Sequence, residues 1–271
     1  MAHTIAISNQ KGGVGKTTSA ISLSYELSRL GRRVLLVDFD PQGSASSGLG
    51  VEGAEEGKDL YDMFFKRVSL SDIIKESKFN ELSVAPSSKD LIGIEIELGK
   101  TPGRELILKS EISLLKTRFD YILIDCPPSS GLLTLNALGA AGSVIIPLQA
   151  EYYALEGLTA LMSTIDFVKQ TFNPELTVAG LFLTMFDART NLSNQVMEEA
   201  KKHFGPVVFK SVIPRSVRLS EAPSHGLPIG LYDPSSAGAV GYRNLAAELE
   251  DRCAESSKRD TDTEISRVGN G

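Results

Sequence analysis

Short runs of consecutive Val, Ile and Leu residues alternate with helical patterns along most of the chain. The runs are continuous and do not alternate apolar with polar positions, which is typical of strands covered on both faces. Helical patterns between them predict βα repeats, and hence an α/β fold with a doubly wound, mostly parallel sheet and helices on both faces. The predicted strands are Thr4–Ser8, Arg33–Asp38, Leu82–Ala85, Tyr121–Asp125, Ser143–Leu148 and Leu176–Thr184, with Val207–Val212 as a candidate last strand.

The helical patterns and the polar stretches predict how the chain is divided. Thr17–Leu30 has apolar residues at helical spacing, and a last helix is expected at about Ala237–Arg252. Gly43–Lys58 is rich in Gly and Ser and is predicted as a loop. Residues 254–271 contain few apolar side chains, so we expect a disordered, polar and acidic tail. The remaining residues, 1–253, are predicted to form a single domain.

A glycine-rich segment, QKGGVGKTT at residues 10–18, directly follows the first predicted strand. Glycines free successive backbone N–H groups to surround phosphate oxygens, Lys16 neutralises charge, and the Thr17 hydroxyl is a suitable Mg²⁺ ligand. The start of the following helix adds a partial positive charge. We therefore expect a nucleotide phosphate site formed by Lys11, Gly12, Gly13, Val14, Gly15, Lys16, Thr17 and Thr18.

The same segment departs from the common phosphate loop, because Gln10 stands where G-x-x-x-x-G-K-T requires glycine. It carries a second lysine, Lys11, instead. This lysine is either a solvated surface charge or a second cation that stabilises charge on the transferred phosphate. The spacing does not decide whether Lys11 would act in its own subunit or in a partner.

Three aspartates are expected at the same edge of the sheet as the glycine-rich loop, where ligands bind in such folds. Asp125 ends a buried strand and is predicted to hold Mg²⁺ opposite the phosphate loop, the alternative being a turn cap. Asp38 and Asp40 precede Pro41 and a turn-forming sequence. We favour Asp40 for positioning the attacking water, and Asp38 for supporting the loop and the metal shell.

Composition narrows the class of protein. The 271 residues are 42% hydrophobic, which is enough for one sizeable core, and no apolar run approaches the roughly 20 residues of a membrane span. A strand directly at the N-terminus leaves no room for a signal peptide. Cys126 and Cys253 form neither a disulfide framework nor a metal set, and the three histidines are scattered. From the absence of a membrane span, of a signal peptide and of a disulfide framework in the sequence, we expect a cytoplasmic protein. The net charge of −6 argues weakly against nucleic-acid binding over the whole surface.

Four segments together resemble the ParA/MinD superfamily of deviant Walker A ATPases. Residues 11–17 match its phosphate loop, residues 37–43 its second carboxylate motif, and residues 122–128 its Walker B motif. The segment 213–224, IPRSVRLSEAPS, resembles the chromosomal ParA branch, also called Soj. The motifs occur in the family's order and the similarity runs from about residue 3 to about residue 250.

This resemblance implies a P-loop NTPase-like fold and an ATPase that uses ATP and Mg²⁺. In the family, ATP is sandwiched in a face-to-face homodimer that binds double-stranded DNA without sequence preference, and a ParB-type (Spo0J-type) partner stimulates hydrolysis. The resemblance also implies that the protein associates with the nucleoid and does not bind a membrane. Lys11 then matches the lysine that reaches the partner's phosphates, Gly12 the glycine packed against the partner, and Asp40 the carboxylate needed for hydrolysis. With Lys16, Lys11 and Asp40 form the expected catalytic set.

The resemblance also implies a DNA-binding surface and an adenine site. Residues 185–220 contain six basic and three acidic side chains, a local excess that an ordinary solvated helix face could also produce. By family match the best DNA candidates are Arg189 and Arg218, followed by Lys201, Lys202 and Arg215. For adenine, the candidates are Met185, Asp187 and Pro214, and for each of them a structural role is about equally expected.

Other members of the superfamily offer competing interpretations. A MinD-like membrane-cycling regulator needs a basic amphipathic C-terminal helix, and residues 254–271 offer only Ile265 and Val268 as aliphatic anchors. An iron–sulfur protein like the nitrogenase iron protein needs two cysteines at the dimer face, where only Cys126 would be available. A plasmid-type ParA would carry a DNA-reading domain before the phosphate loop, whereas here we expect none because the loop begins about ten residues from Met1. A small-molecule kinase would need a substrate lid and an acceptor base, and neither is apparent in the sequence.

Overall fold

A seven-stranded sheet forms the centre of the molecule. The structure is a computed structural model that describes residues 2–53, 55, 57–151 and 154–268. The side chains of residues 155, 156 and 256–268 are not part of that description. The strand order is β3-β4-β2-β5-β1-β6-β7, and every neighbouring pair is parallel except β3–β4. The strands are β1 (His3–Ile7), β2 (Val34–Asp38), β3 (Lys75–Glu76), β4 (Leu82–Ala85), β5 (Tyr121–Asp125), β6 (Ser143–Gln149) and β7 (Thr177–Thr184).

Helices connect the strands. The α-helices are α1 (Lys16–Arg29), α2 (Ser44–Gly48), α3 (Leu60–Phe64), α4 (Leu70–Ile73), α5 (Ile94–Glu97), α6 (Ile107–Ser113), α7 (Leu132–Ala140), α8 (Ala154–Thr171), α9 (Asn191–Phe204), α10 (Val217–Glu221), α11 (Ile229–Tyr232) and α12 (Ala237–Val268). Short 3-10 turns occupy Lys89–Ile92, Arg104–Leu106, Gly205–Val207 and Ala222–His225.

Both faces of the sheet are buried. In β1, Ile5 and Ile7 pack into one apolar cluster, together with side chains of α1, α2, α11 and α12. Ala6 points to the opposite face and packs with side chains of α3, α4 and α6–α9. Because a strand turns successive side chains to opposite faces, two covered faces require the continuous apolar runs seen in the sequence. The predicted doubly wound, mostly parallel fold is confirmed.

The candidate last strand, Val207–Val212, is wrong. The segment runs beside β7 but forms only an isolated parallel bridge, between Val208 and Leu181. The carboxylate of Glu248 in α12 accepts two backbone N–H groups of this segment at 2.9 and 3.0 Å. The guanidinium of Arg252, one turn further along α12, donates to two of its carbonyls at 3.0 and 3.1 Å. Within the segment, the backbone N–H of Phe209 donates to the carbonyl of Leu181 in β7 at 2.8 Å, and the four groups named above are bound by side chains of α12.

Two further segments differ from the prediction. The predicted loop Gly43–Lys58 contains the short helix α2. The predicted disordered tail is helical as far as Val268, since α12 continues beyond its expected end at Arg252. No Gly or Pro lies between Tyr242 and Val268, so the sequence contains no strong helix breaker there. Residues 269–271 lie outside the described residues. No helix in the described part of the chain is both long enough and apolar enough to cross a bilayer.

Candidate functional site

The carboxyl ends of the three central strands meet at one edge of the sheet. In the strand register, Asp125 at the end of β5 lies beside Ile7 at the end of β1 and beside Asp38 at the end of β2. The glycine-rich loop leaves β1 at this point. The structure therefore brings together the loop and both strand-terminal aspartates, as the sequence predicts.

The glycine-rich loop leads directly into α1. Gly13 and Gly15 have φ of +75° and +92°, a backbone conformation that side chains with a Cβ rarely adopt. A Cβ placed on Gly12 or Gly13 would meet no heavy atom within 4 Å, so the outer side of the loop is open. Lys16, the first residue of α1, is buried, and its Nζ donates to the carbonyl of Lys11 at 3.0 Å. Burial lowers the pKa of Lys16, while the carboxylate of Asp125 opposes that change.

Residues far away in the sequence hold this loop in place. Asn9 accepts a hydrogen bond from the backbone N–H of Lys11 at 3.0 Å and donates to the carbonyl of Pro147 at 2.8 Å. Thr184, at the end of β7, donates to the carbonyl of Val14 at 2.8 Å. These partners were not predicted, and no local motif marks them, because each contact depends on which strands become neighbours.

Ser19 ties the same loop to the last helix. Its hydroxyl donates to the carbonyl of Gly15 at 2.6 Å and lies 2.9 Å from the hydroxyl of Tyr242. The Tyr242 side chain is buried, and burial raises the pKa of its hydroxyl. Helix α12 therefore supports the loop from behind through a buried pair of hydroxyl groups.

Asp125 is the most unusual polar group of the site. Its side chain is fully buried, and no described residue makes a hydrogen bond of ordinary distance and angle to either carboxylate oxygen, although the Thr17 hydroxyl is near enough to favour the charged form. Burial and the neighbouring charge of Asp38 raise its pKa well above the usual range, against the influence of the Thr17 hydroxyl and the Lys16 ammonium. Buried, unpaired carboxylate oxygens are costly unless a cation or a donor reaches them. The site therefore fits a cation bound beside Asp125.

The donor set favours magnesium over a metal held by protein groups alone. No group of three or more His, Cys, Asp or Glu side chains suited to a metal exists among the described residues. Mg²⁺ commonly takes only one or two protein carboxylates and completes its shell with water and substrate phosphates. This way of binding Mg²⁺ agrees with the arrangement at the site, where Thr17, Asp38 and Asp125 lie beside an open phosphate loop.

Asp38 differs from Asp125 in having partners. One of its oxygens accepts the backbone N–H and the hydroxyl of Ser46 in α2, at 2.7 and 2.6 Å. The other oxygen has no partner among the described residues. Burial raises the pKa of Asp38 to about 6, although both bonds from Ser46 act to lower it. Asp38 therefore holds α2, and the loop before it, at the edge of the site.

Asp40 lies in the turn between β2 and α2 and is partly exposed. Its carboxylate accepts the backbone N–H of Gln42 at 3.0 Å. Its carbonyl accepts from the backbone N–H of Gly43 at 2.9 Å and from the hydroxyl of Ser87 at 2.6 Å. The turn is therefore fixed both internally and by the segment that follows β4.

Lys11 is bound within its own chain. Its Nζ lies 2.7 Å from the carboxylate of Glu151, just after β6, and the two side chains are 39% and 44% exposed. Gln149 donates to the other oxygen of Glu151. Glu151 was not predicted as a site residue, and its position becomes evident only because β6 is the neighbour of β1.

The two segments that carry the predicted adenine candidates, residues 185–187 and 213–215, run beside each other. Phe186 forms an isolated parallel bridge with Pro214, and the backbone N–H of Phe186 donates to the carbonyl of Ile213 at 3.0 Å. Met185 has φ of +51° at the end of β7. Asp187 is occupied by Arg189, which donates to both of its oxygens at 2.9 and 2.7 Å and lowers its pKa to about 2. Asp187 is therefore held in place by Arg189, and its role toward a base stays a prediction.

The predicted DNA-binding side chains are all exposed, but local acids pair with several of them. The side chain of Arg189 is 89% exposed while bound to Asp187, and Lys202 lies 3.4 Å from Glu199. Arg218, on α10, is 2.9 Å from Glu221. In the described part of the chain, the other two candidates form no ion pair; these are Lys201 and Arg215.

Comparisons with known proteins identify the family of the chain. The family model AAA_31, described as an AAA domain, matches residues 2–178, so the chain belongs to that family. The sporulation initiation inhibitor protein Soj of Bacillus subtilis is 55% identical over 249 residues, covering 92% of this chain and 98% of that protein. The chromosome partitioning protein ParA of Myxococcus xanthus is 50% identical, covering 94% and 90%.

Solved structures are similar as well. Cobyrinic acid a,c-diamide synthase of Mycobacterium smegmatis, with bound ADP and magnesium, has a TM-score of 0.80 and 36% identity, covering 91% of this chain and 93% of that one. The septum site-determining protein MinD of Pyrococcus horikoshii, complexed with Mg-ADP, has a TM-score of 0.76 and 28% identity, covering 92% and 96%. The chain therefore belongs to the ParA/MinD superfamily of ATPases, and within it to the Soj/ParA branch.

Proposed function

We propose that this chain is a magnesium-dependent ATPase of chromosome partitioning, which binds DNA as an ATP-bound homodimer and leaves it after hydrolysis. The observation that carries the proposal is the pair of orphaned, buried oxygens of Asp125 beside an open glycine-rich loop and a buried Lys16. A cation with a nucleotide phosphate supplies the partners that the site lacks. The relatives named Soj and ParA support chromosome partitioning as the use of this ATPase.

Each residue at the sheet edge has a place in this proposal. The backbone N–H groups of residues 12–18 bind phosphate oxygens, and Lys16 neutralises their charge. Thr17 and Asp125 hold magnesium, with Asp38 behind them. Magnesium, when bound, draws charge from the phosphates. Asp40, partly exposed in its fixed turn, orients the attacking water.

The open side of the glycine-rich loop supports the dimer. Gly12 leaves space for a second subunit to approach the backbone closely, because nothing lies within 4 Å of the position of a Cβ. Lys11 is half-exposed on the same loop. In the proposed dimer Lys11 leaves Glu151 and reaches the phosphates bound to the other subunit, where a second cation stabilises the developing charge.

Binding to DNA would depend on charge summed over two subunits. The candidate arginines and lysines are exposed, but their ion pairs with Asp187, Glu199 and Glu221 leave one subunit with little net attraction. A dimer presents the basic side chains twice, and phosphate contacts add to the affinity one by one. We therefore propose non-specific binding to double-stranded DNA on the nucleoid by the dimer alone, with a ParB-type partner that stimulates hydrolysis.

Retention on DNA, measured against salt concentration, tests the proposal. The protein should bind DNA of unrelated sequences equally with ATP and Mg²⁺ and should not bind with ADP. The logarithm of the affinity should fall linearly with the logarithm of salt concentration, with a slope of about −0.9 for each phosphate contact. Lys16→Ala, which loses ATP binding, is the control without ATP-dependent retention. Dimerisation with ATP but no retention at low salt would contradict DNA partitioning and leave the ATPase assignment intact.

A further inference from the structure

One residue, Ser46, holds Asp38 in a way that has no counterpart at Asp125. The backbone N–H and the hydroxyl of Ser46 both donate to the same carboxylate oxygen of Asp38, Oδ2, at 2.7 and 2.6 Å. Asp125, the register neighbour of Asp38 on β5, receives no hydrogen bond of ordinary distance and angle from a described residue. Two charge-assisted bonds to one oxygen restrict rotation of the carboxylate. Ser46 therefore determines which oxygen of Asp38 is left free.

The oxygen that Ser46 leaves free is buried at the site. No described residue makes a hydrogen bond of ordinary distance and angle to Oδ1 of Asp38, although the backbone N–H of Asp40 is near enough to the carboxylate to favour its charged form. Both oxygens of Asp125, on the neighbouring strand, are in the same condition. Buried carboxylate oxygens of this kind are costly unless a cation or a donor reaches them. The free oxygen of Asp38 therefore belongs to the same cation site as Asp125.

Ser46 is itself firmly fixed by the packing of α2. Its side chain is only 4% exposed, and the flanking residues Ala45 and Leu49 are fully buried in the apolar cluster on one face of the sheet. A Cβ on Gly48 would lie 2.6 Å from Cδ1 of Ile21, so α2 lies tightly against α1. Because the donor cannot easily shift, it can impose a direction on the carboxylate that it binds.

The proton of the Ser46 hydroxyl is also directed. The backbone N–H of Ser87, which follows β4, donates to Oγ of Ser46 at 3.3 Å. A hydroxyl has a single proton to donate, and with its oxygen accepting from Ser87 that proton is directed to Asp38. Since β4 is the neighbour of β2 in the sheet, the sheet itself supplies the group that orients Ser46.

A second serine in the chain makes the same bonds with a different result. The hydroxyl of Ser88 donates to Oδ2 of Asp59 at 2.6 Å and accepts the backbone N–H of Asp90 at 3.3 Å. The other oxygen of Asp59 accepts the backbone N–H of Asp62 at 2.9 Å, which caps the start of α3. Both oxygens of Asp59 are therefore used by the fold, whereas Asp38 keeps one oxygen for the site.

We infer that Ser46 is a positioning residue for the metal, whose hydroxyl holds Asp38 so that Oδ1 faces the shell of the magnesium ion bound beside Asp125. The inference rests on the proposed function, since it names the residue that tunes the affinity of that site for magnesium. Loss of a group that orients a metal-binding residue commonly costs roughly ten- to hundredfold in metal affinity. The backbone N–H of Ser46 still donates when the hydroxyl is removed, so we expect the lower end of that range.

Three variants test the inference. Ser46→Ala removes the hydroxyl, and Ser46→Thr keeps it. Ser88→Ala is the matched control, because it removes a buried hydroxyl that donates to an aspartate at the same distance of 2.6 Å. The readouts are the melting temperature of the nucleotide-free protein, the affinity for ATP in EDTA, and the concentration of MgCl2 that gives half of the maximal gain in ATP affinity.

Ser46→Ala and Ser88→Ala should lower the melting temperature by similar amounts, because each loses one buried hydrogen bond to a carboxylate. Only Ser46→Ala should require roughly tenfold more MgCl2, with its affinity for ATP in EDTA unchanged, and Ser46→Thr should stay within about twofold of the unmodified protein. If Ser46→Ala does not fold, Ser46→Cys carries the same expectation, because a thiol of similar size donates only weakly.

An unchanged MgCl2 requirement in the Ser46 variants that lack the hydroxyl overturns the inference and leaves the proposed function standing, with Ser46 serving the fold alone. An equal rise for Ser88→Ala also overturns it, since the effect would then follow from lost stability. If the affinity of the unmodified protein for ATP does not depend on MgCl2, the magnesium step of the proposed function fails, and the role of Ser46 fails with it.

Discussion

Glu151→Gln should make ATP-dependent dimerisation easier. In the structure, Glu151 holds Lys11 within its own chain at 2.7 Å, whereas the proposed dimer needs Lys11 at the phosphates of the other subunit. Glutamine has the same shape and can still accept a hydrogen bond from Gln149, but it carries no charge. The substitution therefore weakens the competing contact and leaves the glycine-rich loop unchanged.

The exposure of the pair sets the size of the effect. With side chains 39% and 44% in solvent, the ion pair is screened, and such pairs contribute about 0.5 kcal/mol. A dimer releases two lysines, so the total is about 1 kcal/mol, which corresponds to a roughly fivefold lower dimer dissociation constant. Salt should reduce the difference, because at 1 M the Debye length is about 3 Å.

Sedimentation with Mg²⁺ and ATP, in an Asp40→Ala background that prevents turnover, would measure the dissociation constant. Glu250→Gln is the control, since it removes the charge from an ion pair of similar length, 2.6 Å to Arg32, on a different part of the surface. That variant should dimerise normally. An unchanged or weaker dimer for Glu151→Gln would refute the reasoning and would show that the carboxylate of Glu151 does not compete for Lys11.

Asp40→Ala should bind ATP normally yet hydrolyse it at background rate, so that filter binding finds the dimer retained on DNA; normal turnover would contradict the role of Asp40. Asp125→Asn should lose the Mg²⁺-dependent rise in melting temperature given by ATP, while the nucleotide-free protein becomes equally or more stable, because the cost of burying a carboxyl group with a raised pKa is removed. Arg189→Glu should weaken DNA retention without changing dimerisation measured by sedimentation. Because the pKa of Asp38 is raised to about 6, folded protein holds a proton that the unfolded chain releases near pH 4. Urea unfolding should therefore show that stability, relative to Asp38→Asn, falls as the pH rises from about 4 to about 6.

The parts of the fold that the sequence predicts are those set by local pattern. The strands Leu82–Ala85 and Tyr121–Asp125 are found at their predicted bounds, because a continuous apolar run must be covered on both faces. Val207–Val212 has a similar pattern and is not a strand. Its backbone is bound by Glu248 and Arg252 of α12, and nothing within the segment itself indicates that competition.

The same distinction applies to the candidate site. Asp38 and Asp125 could be placed beside the phosphate loop because each ends a parallel strand, and parallel strands end at one edge. Glu151 could not, since its contact with Lys11 requires β6 to be the neighbour of β1. The ion pairs of the basic side chains were also missed, because a count of charges along the sequence does not show that Arg189 lies on Asp187.

The balance of buried charge explains why the site should bind magnesium and nucleotide together. Asp38 and Asp125 are both fully buried, and in the part of the chain that the structure describes Lys16 is the only buried Lys or Arg. At this edge of the sheet, the carboxylates of Asp38 and Asp125 and the single ammonium of Lys16 leave a deficit of positive charge, and protonation of the acids relieves it, as their raised pKa values show. A divalent cation relieves the same deficit without protons, but it also adds charge that the nucleotide phosphates must balance. Each ligand therefore makes the other's binding more favourable, so affinity for ATP should rise with Mg²⁺ and lose that dependence when Asp125 is neutralised.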